Sequence, residues 1–336
     1  MKSPITGKEM QLVITKESLD FRKESFEYYH HGYRCEDSEE IFTTTELDNL
    51  NIGQVYNQYL VKYNIPFPED IKAIRKKYEL PANRMSLVLG FGVNTYRNYE
   101  NGEVPSLANA KLIHLAQKPE QFKDLVNEST DVFNPQEKDD LISRIDSLIQ
   151  KEAKNYFSYV EKYMLGNHTR DIYSGYKTPN LEKLGEMVVF FTERLKPFKT
   201  AMNKLLFYAD FLNFRKSSFS ISGLRYAAID KGPVPDNFQT LFDHFDRNSI
   251  ITVKHEEVAP GYWGEIFTPI PNRVFNSELF SEAELETLEQ VCERFKNVTR
   301  AIDIVNLSHE EDGWIINYND GKRLIEYDYA FKLKNI

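Results

Sequence analysis

The chain has 336 residues, more than one typical domain, so two or three hydrophobic cores are expected. Its formal net charge of −9 argues against a protein that coats nucleic acid indiscriminately, yet leaves room for an acidic domain beside a binding module. Two cysteines, Cys35 and Cys292, cannot build a disulfide framework, MKSPITGKEM is no secretory leader, and no apolar run approaches the roughly 20 residues a bilayer demands, so a reducing cytoplasm is the expected setting.

Residues 1–60 read as a small module, with strand-like runs at Leu12 to Ile14 and Phe26 to Tyr29 separated by polar turns. Ser3 and Thr6 stand at the interval of a C-x₂-C knuckle, and Cys35 and Ser38 repeat it. One thiolate does not make a tetrahedral zinc site, even with His30 and His31 nearby. The expectation is therefore a degenerate, metal-free ribbon with no cofactor.

Residues 66–126 carry the clearest pattern. Ile71, Ile74 and Tyr78 repeat at helical spacing, and Lys72, Arg75, Lys76 and Lys77 on the same helix suit phosphate contact. Asn83 is a suitable cap for a short apolar helix that reaches Leu89, where Gly90 can supply a left-handed end. Asn94 then suits the cap of a second short helix, Thr95 to Tyr99, stopped by Asn101-Gly102. With Val93, Tyr96 and Tyr99 inward, Asn94, Thr95, Arg97 and Asn98 face outward, and Asn83 and Arg84 complete a candidate DNA-contacting set. Asparagine pairs with adenine, arginine with guanine or phosphate, and a threonine methyl meets that of thymine. The plain alternative is a solvated polar helix face. Pro105-Ser106 opens a further helix, and Lys118-Pro119 closes it. From Pro66 to Val126 there are nine Lys and Arg against seven Asp and Glu, so a homodimer that doubles the phosphate contacts is expected.

Residues 134–166 turn strongly helical, with Leu141, Ile145, Leu148 and Ile149 on one stripe, as a linker or dimerisation segment. Turn residues at Gly166-Asn167, Ser174-Gly175 and Thr178-Pro179 mark a boundary. In residues 180–336, Leu181 to Leu195 and Met202 to Leu212 give two amphipathic helices. A strand at Tyr226 to Ile229 is expected to stop at Lys231-Gly232-Pro233-Val234-Pro235, with a helix following from Asp236. Ile250 to Val253 and Ile266 to Ile270 suggest a hairpin with a long connection, and Ser281 caps a helix that turns Cys292 inward. The fold class expected is mainly α with small β elements (α+β).

GFGVNTYRNYENGEVPS, with LIHL and KPEQF after it, resembles the helix-turn-helix of MqsA-type antitoxins, and SPIT with YRCEDS resembles the remains of that family's zinc ribbon. The resemblance implies a DNA-binding dimer that represses its own promoter, with the motif asparagine at Asn94. It departs in the missing ribbon ligands and in Asn98, where the family has a basic residue. Residues 180–336 resemble the Panacea (SocA-like) domain through KLLFYADFLNFRKSSFSISGLRYAAIDKGPVPDNF and NLSHEEDGW. That resemblance implies a toxin-neutralising domain that binds toxin proteins directly, many of them blocking translation.

Neutralisation by masking needs an interface rather than a catalytic pocket. Asp210, Arg225, Tyr226, Asp236, Phe238, His309 and Trp314 are the motif members expected to bind toxin or to define the domain, and a buried Asp210–His309 pair is an alternative for two of them. A proteolytic adaptor or a plain transcriptional regulator would carry the same binding features. A metal-dependent hydrolase built on His309-Glu310-Glu311-Asp312 is the remaining class, but H-E-x-x-H, G-x-S-x-G and a phosphate loop are missing, and no enzyme is expected. The expected partners are a cognate toxin, operator DNA and a second copy, with no membrane.

Overall fold

The computed structural model describes residues 1–152, 157–166, 169–298, 300–321 and 324–336. Asn167 of the expected boundary, and residues 153–156 of the expected linker, lie outside them. The protein is mainly helical with small β elements. It divides into two compact units, one of residues 1–54 with 160–336 and one of residues 55–159.

The chain opens with an antiparallel sheet, β1 (Gln11–Phe21), β2 (Glu24–Arg34) and β3 (Ile41–Phe42), in that order. Phe21 pairs with Glu24, so the turn consists of Arg22 and Lys23, both left-handed at φ 50° and 70°. Tight hairpins ask for such angles but normally use Gly or Asn, which is why the turn is not legible in the sequence. α1 (Thr45–Lys62) begins beside this sheet. Its Asn51 and Gln54 amides each both donate to and accept from the β2 backbone, at His31 and Tyr29, with distances of 2.8–3.0 Å. Two side chains thereby imitate a neighbouring strand and satisfy a bare sheet edge.

The second unit contains α2 (Pro68–Lys77), α3 (Ala82–Val88), α4 (Thr95–Glu100), α5 (Leu107–Ala116), α6 (Pro119–Glu128) and α7 (Pro135–Glu152). Ile71, Ile74, Tyr78, Met85, Tyr96, Ile113, Phe122 and Val126 form its core. The apolar stripe of α7 closes that core: Leu141 and Ile145 are buried in it, with Leu148 and Ile149 packed at its edge. Part of the segment expected as a linker or dimerisation helix thus packs within this unit.

α8 (Phe157–Leu165) leads back to the first unit, which holds α9 (Leu181–Leu195), α10 (Lys199–Ser217), β4 (Tyr226–Ile229), β5 (Gly232–Pro235), α11 (Phe238–Arg247), β6 (Thr252–Ala259), β7 (Tyr262–Thr268), α12 (Glu282–Phe295), α13 (Ala301–His309) and α14 (Asp312–Asn319). α10 is the axis of this region, with every residue from Met202 to Phe214 buried. A helix buried on all sides carries no amphipathic stripe, and its polar members must find partners inside. The Gly-Pro-Val-Pro run does not merely end β4 but pairs with it as β5. Prolines two residues apart share one phase of the ladder, so Gly232 and Val234 are left to supply its N–H groups. The β6–β7 connection is also tighter than expected, since Ala259 already pairs with Tyr262. Ser281 caps α12 as expected, in a capping box with Glu284.

Candidate functional site

Asp210 lies at the middle of α10 with no exposure to solvent. Its carboxylate accepts bonds from the Ile221 and Ser222 amides, both at 2.8 Å, and from the Ser222 and Tyr226 hydroxyls. Burial pushes its carboxyl up, and those four donors pull it back down. Asp210 thus folds the segment between α10 and β4 around itself, and brings Tyr226, also fully buried, into the aromatic group of Phe207, Phe211 and Tyr327. His309 is not its partner. The expected Asp210–His309 pair gives way to an imidazole stacked on Trp314 at 3.8 Å and 12°, and Trp314 stacks in turn on Tyr318 at 4.8 Å. Trp314 Nε1 donates to Ile229 O at 2.8 Å, and Tyr318 OH to Asp230 at 2.9 Å, so the stack backs the β4–β5 turn. Arg225 forms an ion pair with Asp171, and its carbonyl accepts from the amide of exposed Asp236.

Beside this ribbon lies an open groove of about 1010 Å³. Its floor includes Asn203 and Lys204 of α10, one wall includes Ile229, Lys231 and Val234, and the hairpin contributes Glu256, Glu257, Val258 and Trp263. Lys204 is fully buried and donates to Pro233 O at 2.8 Å. Burial, with Lys231 adding to it, lowers its ammonium from 10.5 to about 7. Gly232, at φ +90°, seals it, because a β-carbon there would come within 2.7 Å of Lys204 Cε. Phe238 stands at the junction with a second recess of about 500 Å³ that shares Ile229 and Val234.

Residues 202–315 match the family model described as "Antitoxin SocA-like, Panacea domain". The C-terminal region carries a Panacea (SocA-like) domain. No curated protein matches the chain. Within His309-Glu310-Glu311-Asp312, buried Glu311 accepts from Tyr208 OH and from the Lys334 and Asn335 amides, while Asp312 pairs with Lys334. Among the described residues, no three His, Cys, Asp or Glu side chains are placed to hold a metal ion. In the amino-terminal sheet region Ser3 Oγ donates to Cys35 Sγ at 3.2 Å and Thr6 Oγ1 lies 3.9 Å from it, and no zinc-ribbon motif is evident among the described residues. Hydroxyl bonds from Ser3 and Ser38 bring that buried thiol down to about 6.

Of the Panacea-motif candidates, Asp210 and Tyr226 are interior, Arg225, Phe238, His309 and Trp314 half-buried, and Asp236 exposed. Phe238 lines the groove. Asn203, Lys204, Lys231, Trp263 and Ile302 were not singled out from the sequence, although a lysine opening the apolar run KLLFYADF is a visible oddity.

In the second unit, α3 and α4 meet through a short turn in which Gly90 takes φ +69°. Tyr96 anchors α4, its amide donating to Ser86 Oγ at 2.9 Å and its hydroxyl to Ile71 O at 2.7 Å. Asn94, Arg97 and Asn98 are exposed and Thr95 half-exposed, on the face opposite Tyr96 and Tyr99. Four details differ from the sequence reading. Pro81, not Asn83, occupies the cap of α3, and Asn83 Oδ1 accepts from the next amide, that of Arg84. Asn94 begins α4 without a side-chain capping bond. Val93 is 53 % exposed, since the turn ends only at Asn94 and Val93 is not yet in helical phase. Arg75 does not face outward for phosphate but grips Glu100 with two bonds, tying α2 to α4. Arg84 lies over the Phe133 ring and 3.7 Å from Glu137.

Proposed function

We propose that the protein is an antitoxin whose Panacea domain binds a translation-blocking toxin directly and masks it in a stoichiometric complex. The match of residues 202–315 carries this reading. An open groove with exposed apolar side chains, rather than a convergent set of acids, bases and nucleophiles, suits binding better than turnover. The test is co-expression with the protein encoded in the adjacent open reading frame: growth restored in proportion to the amount of antitoxin supports masking, and toxicity indifferent to its presence refutes it.

The second unit, in the same proposal, is a DNA-binding module that represses the chain's own promoter as a homodimer. Its support is the exposure of Asn94, Arg97 and Asn98 on one face of a short helix held by Tyr96. Asn94→Ala and Arg97→Ala should each weaken binding to the upstream DNA by about 1–3 kcal/mol, the range of base and phosphate contacts. Unchanged retention of that DNA in a mobility-shift titration would remove α4 from the interface.

A further inference from the structure

The groove beside the β4–β5 ribbon has properties that stability of the fold does not require. Trp263, Val258 and Ile302 are 64 %, 54 % and 54 % exposed, and all three line it. Large apolar side chains scattered singly over a surface are ordinary, whereas three converging on one concavity form a patch of the kind that proteins cover with a partner. Beneath them Asn203 is only 3 % exposed, yet its Oδ1 has no hydrogen-bond partner. A buried acceptor left unpaired is costly, and it is relieved when an incoming N–H reaches it.

The charges around the groove are arranged by side. Of its basic residues, Lys199 is paired with Glu265 and Arg300 with Asp303. Lys204 and Lys231 have no carboxylate against them among the described residues, and both lie on the ribbon side. The opposite rim carries Glu256 and Glu257. Exposed Lys231, with the partly protonated Lys204 beneath it, attracts an anion to the ribbon side, while the acidic rim repels one from the hairpin side. The adjoining recess past Phe238 extends the concavity beyond the size of one side chain.

We propose that this groove is the toxin-docking site, and that it receives one polypeptide segment of the toxin carrying a large apolar side chain and a carboxylate. The apolar side chain lies among Trp263, Val258 and Ile302, the carboxylate over Lys231 within the field of Lys204, and a backbone N–H meets Asn203. The proposal rests on the antitoxin reading and adds to it a location and a chemistry.

The test uses the full chain and, as probe, the purified protein of the adjacent open reading frame, with calorimetric titration and growth rescue as readouts. Ile302→Glu and Lys231→Glu are surface changes, checked by circular dichroism for an unaltered melting profile. Val274→Glu, at a position 81 % exposed and outside the groove, is the control. The expected result is a loss of affinity of about tenfold or more for each groove variant, as for hot-spot residues, with rescue lost and the control unchanged. Groove variants that bind and rescue as the wild-type chain does would overturn the docking site and leave the antitoxin reading standing. A wild-type chain that neither binds nor rescues would overturn both.

Discussion

Lys204 has surroundings that oppose its chemistry, and the consequence is measurable. A buried ammonium without a counter-ion holds its proton less tightly than the same group in the unfolded chain, here at about 7 against 10.5. Lys231 and the half-buried His309 stand near it, and the Pro233 carbonyl is its acceptor. Between those two values the unfolded state binds more protons, so stability rises with pH across that window, and the penalty is fully present below it. Urea unfolding followed by tryptophan emission should show the C-terminal region more stable at about pH 9.5 than at neutrality, by on the order of a few kcal/mol. Lys204→Met should flatten that dependence and raise stability at neutral pH, because it removes a buried charge while keeping the methylene stem. Equal slopes in the two proteins would show that Lys204 is neutral-tolerant or solvated. The lysine was readable in the sequence as a residue, but its burial was not. Periodicity assigns polar residues to the outside of a helix, and α10 has no outside.

At the scale of elements, what could be read in advance depended on whether local or distant groups set the structure. α9, α12 and the α3–α4 pair follow from apolar spacing and from Ser281 and Gly90, all local signals. The pairing of β5 was hidden because two prolines in four residues argue against a strand, and only the partner β4 shows that their missing N–H groups fall where none is needed. Within the candidate DNA-binding pair, the outward face of α4 was legible from the inward tyrosines, whereas Arg75 was not, since its partner Glu100 lies 25 residues away. Ser86 was equally silent. It is fully buried, and its hydroxyl receives the Tyr96 amide, which joins the two short helices. Ser86→Ala should leave that amide unpaired and lower the stability of the second unit by about 1–3 kcal/mol, read from the loss of helical dichroism on heating. A smaller loss of DNA affinity than of stability would mean that α4 keeps its orientation without the bond.

For the whole molecule, the division into two units has an unusual spectroscopic consequence. Both tryptophans, Trp263 and Trp314, belong to the unit formed by residues 1–54 and 160–336, and the helical unit of residues 55–159 has none. Tryptophan emission therefore follows one unit, while far-ultraviolet dichroism follows both. The composite unit joins distant parts of the chain: Phe331 is buried against the Tyr29 and His31 rings at 5.2 and 4.9 Å, and Ser218 Oγ donates to Leu50 O at 3.5 Å. Sequence patterning delimits a small module of residues 1–60 and a C-terminal region from residue 180, and it cannot see contacts of such long separation. We expect Phe331→Ala in the full chain to destabilise the tryptophan-monitored transition by about 3–5 kcal/mol, the range for emptying a buried aromatic site, and to leave the other dichroic transition in place. Ser86→Ala should do the reverse. If the amino-terminal sheet folded apart from the C-terminal region, Phe331→Ala would cost no more than a surface substitution. If instead both variants shifted both transitions together, the two units would unfold as one and the division would have no thermodynamic meaning.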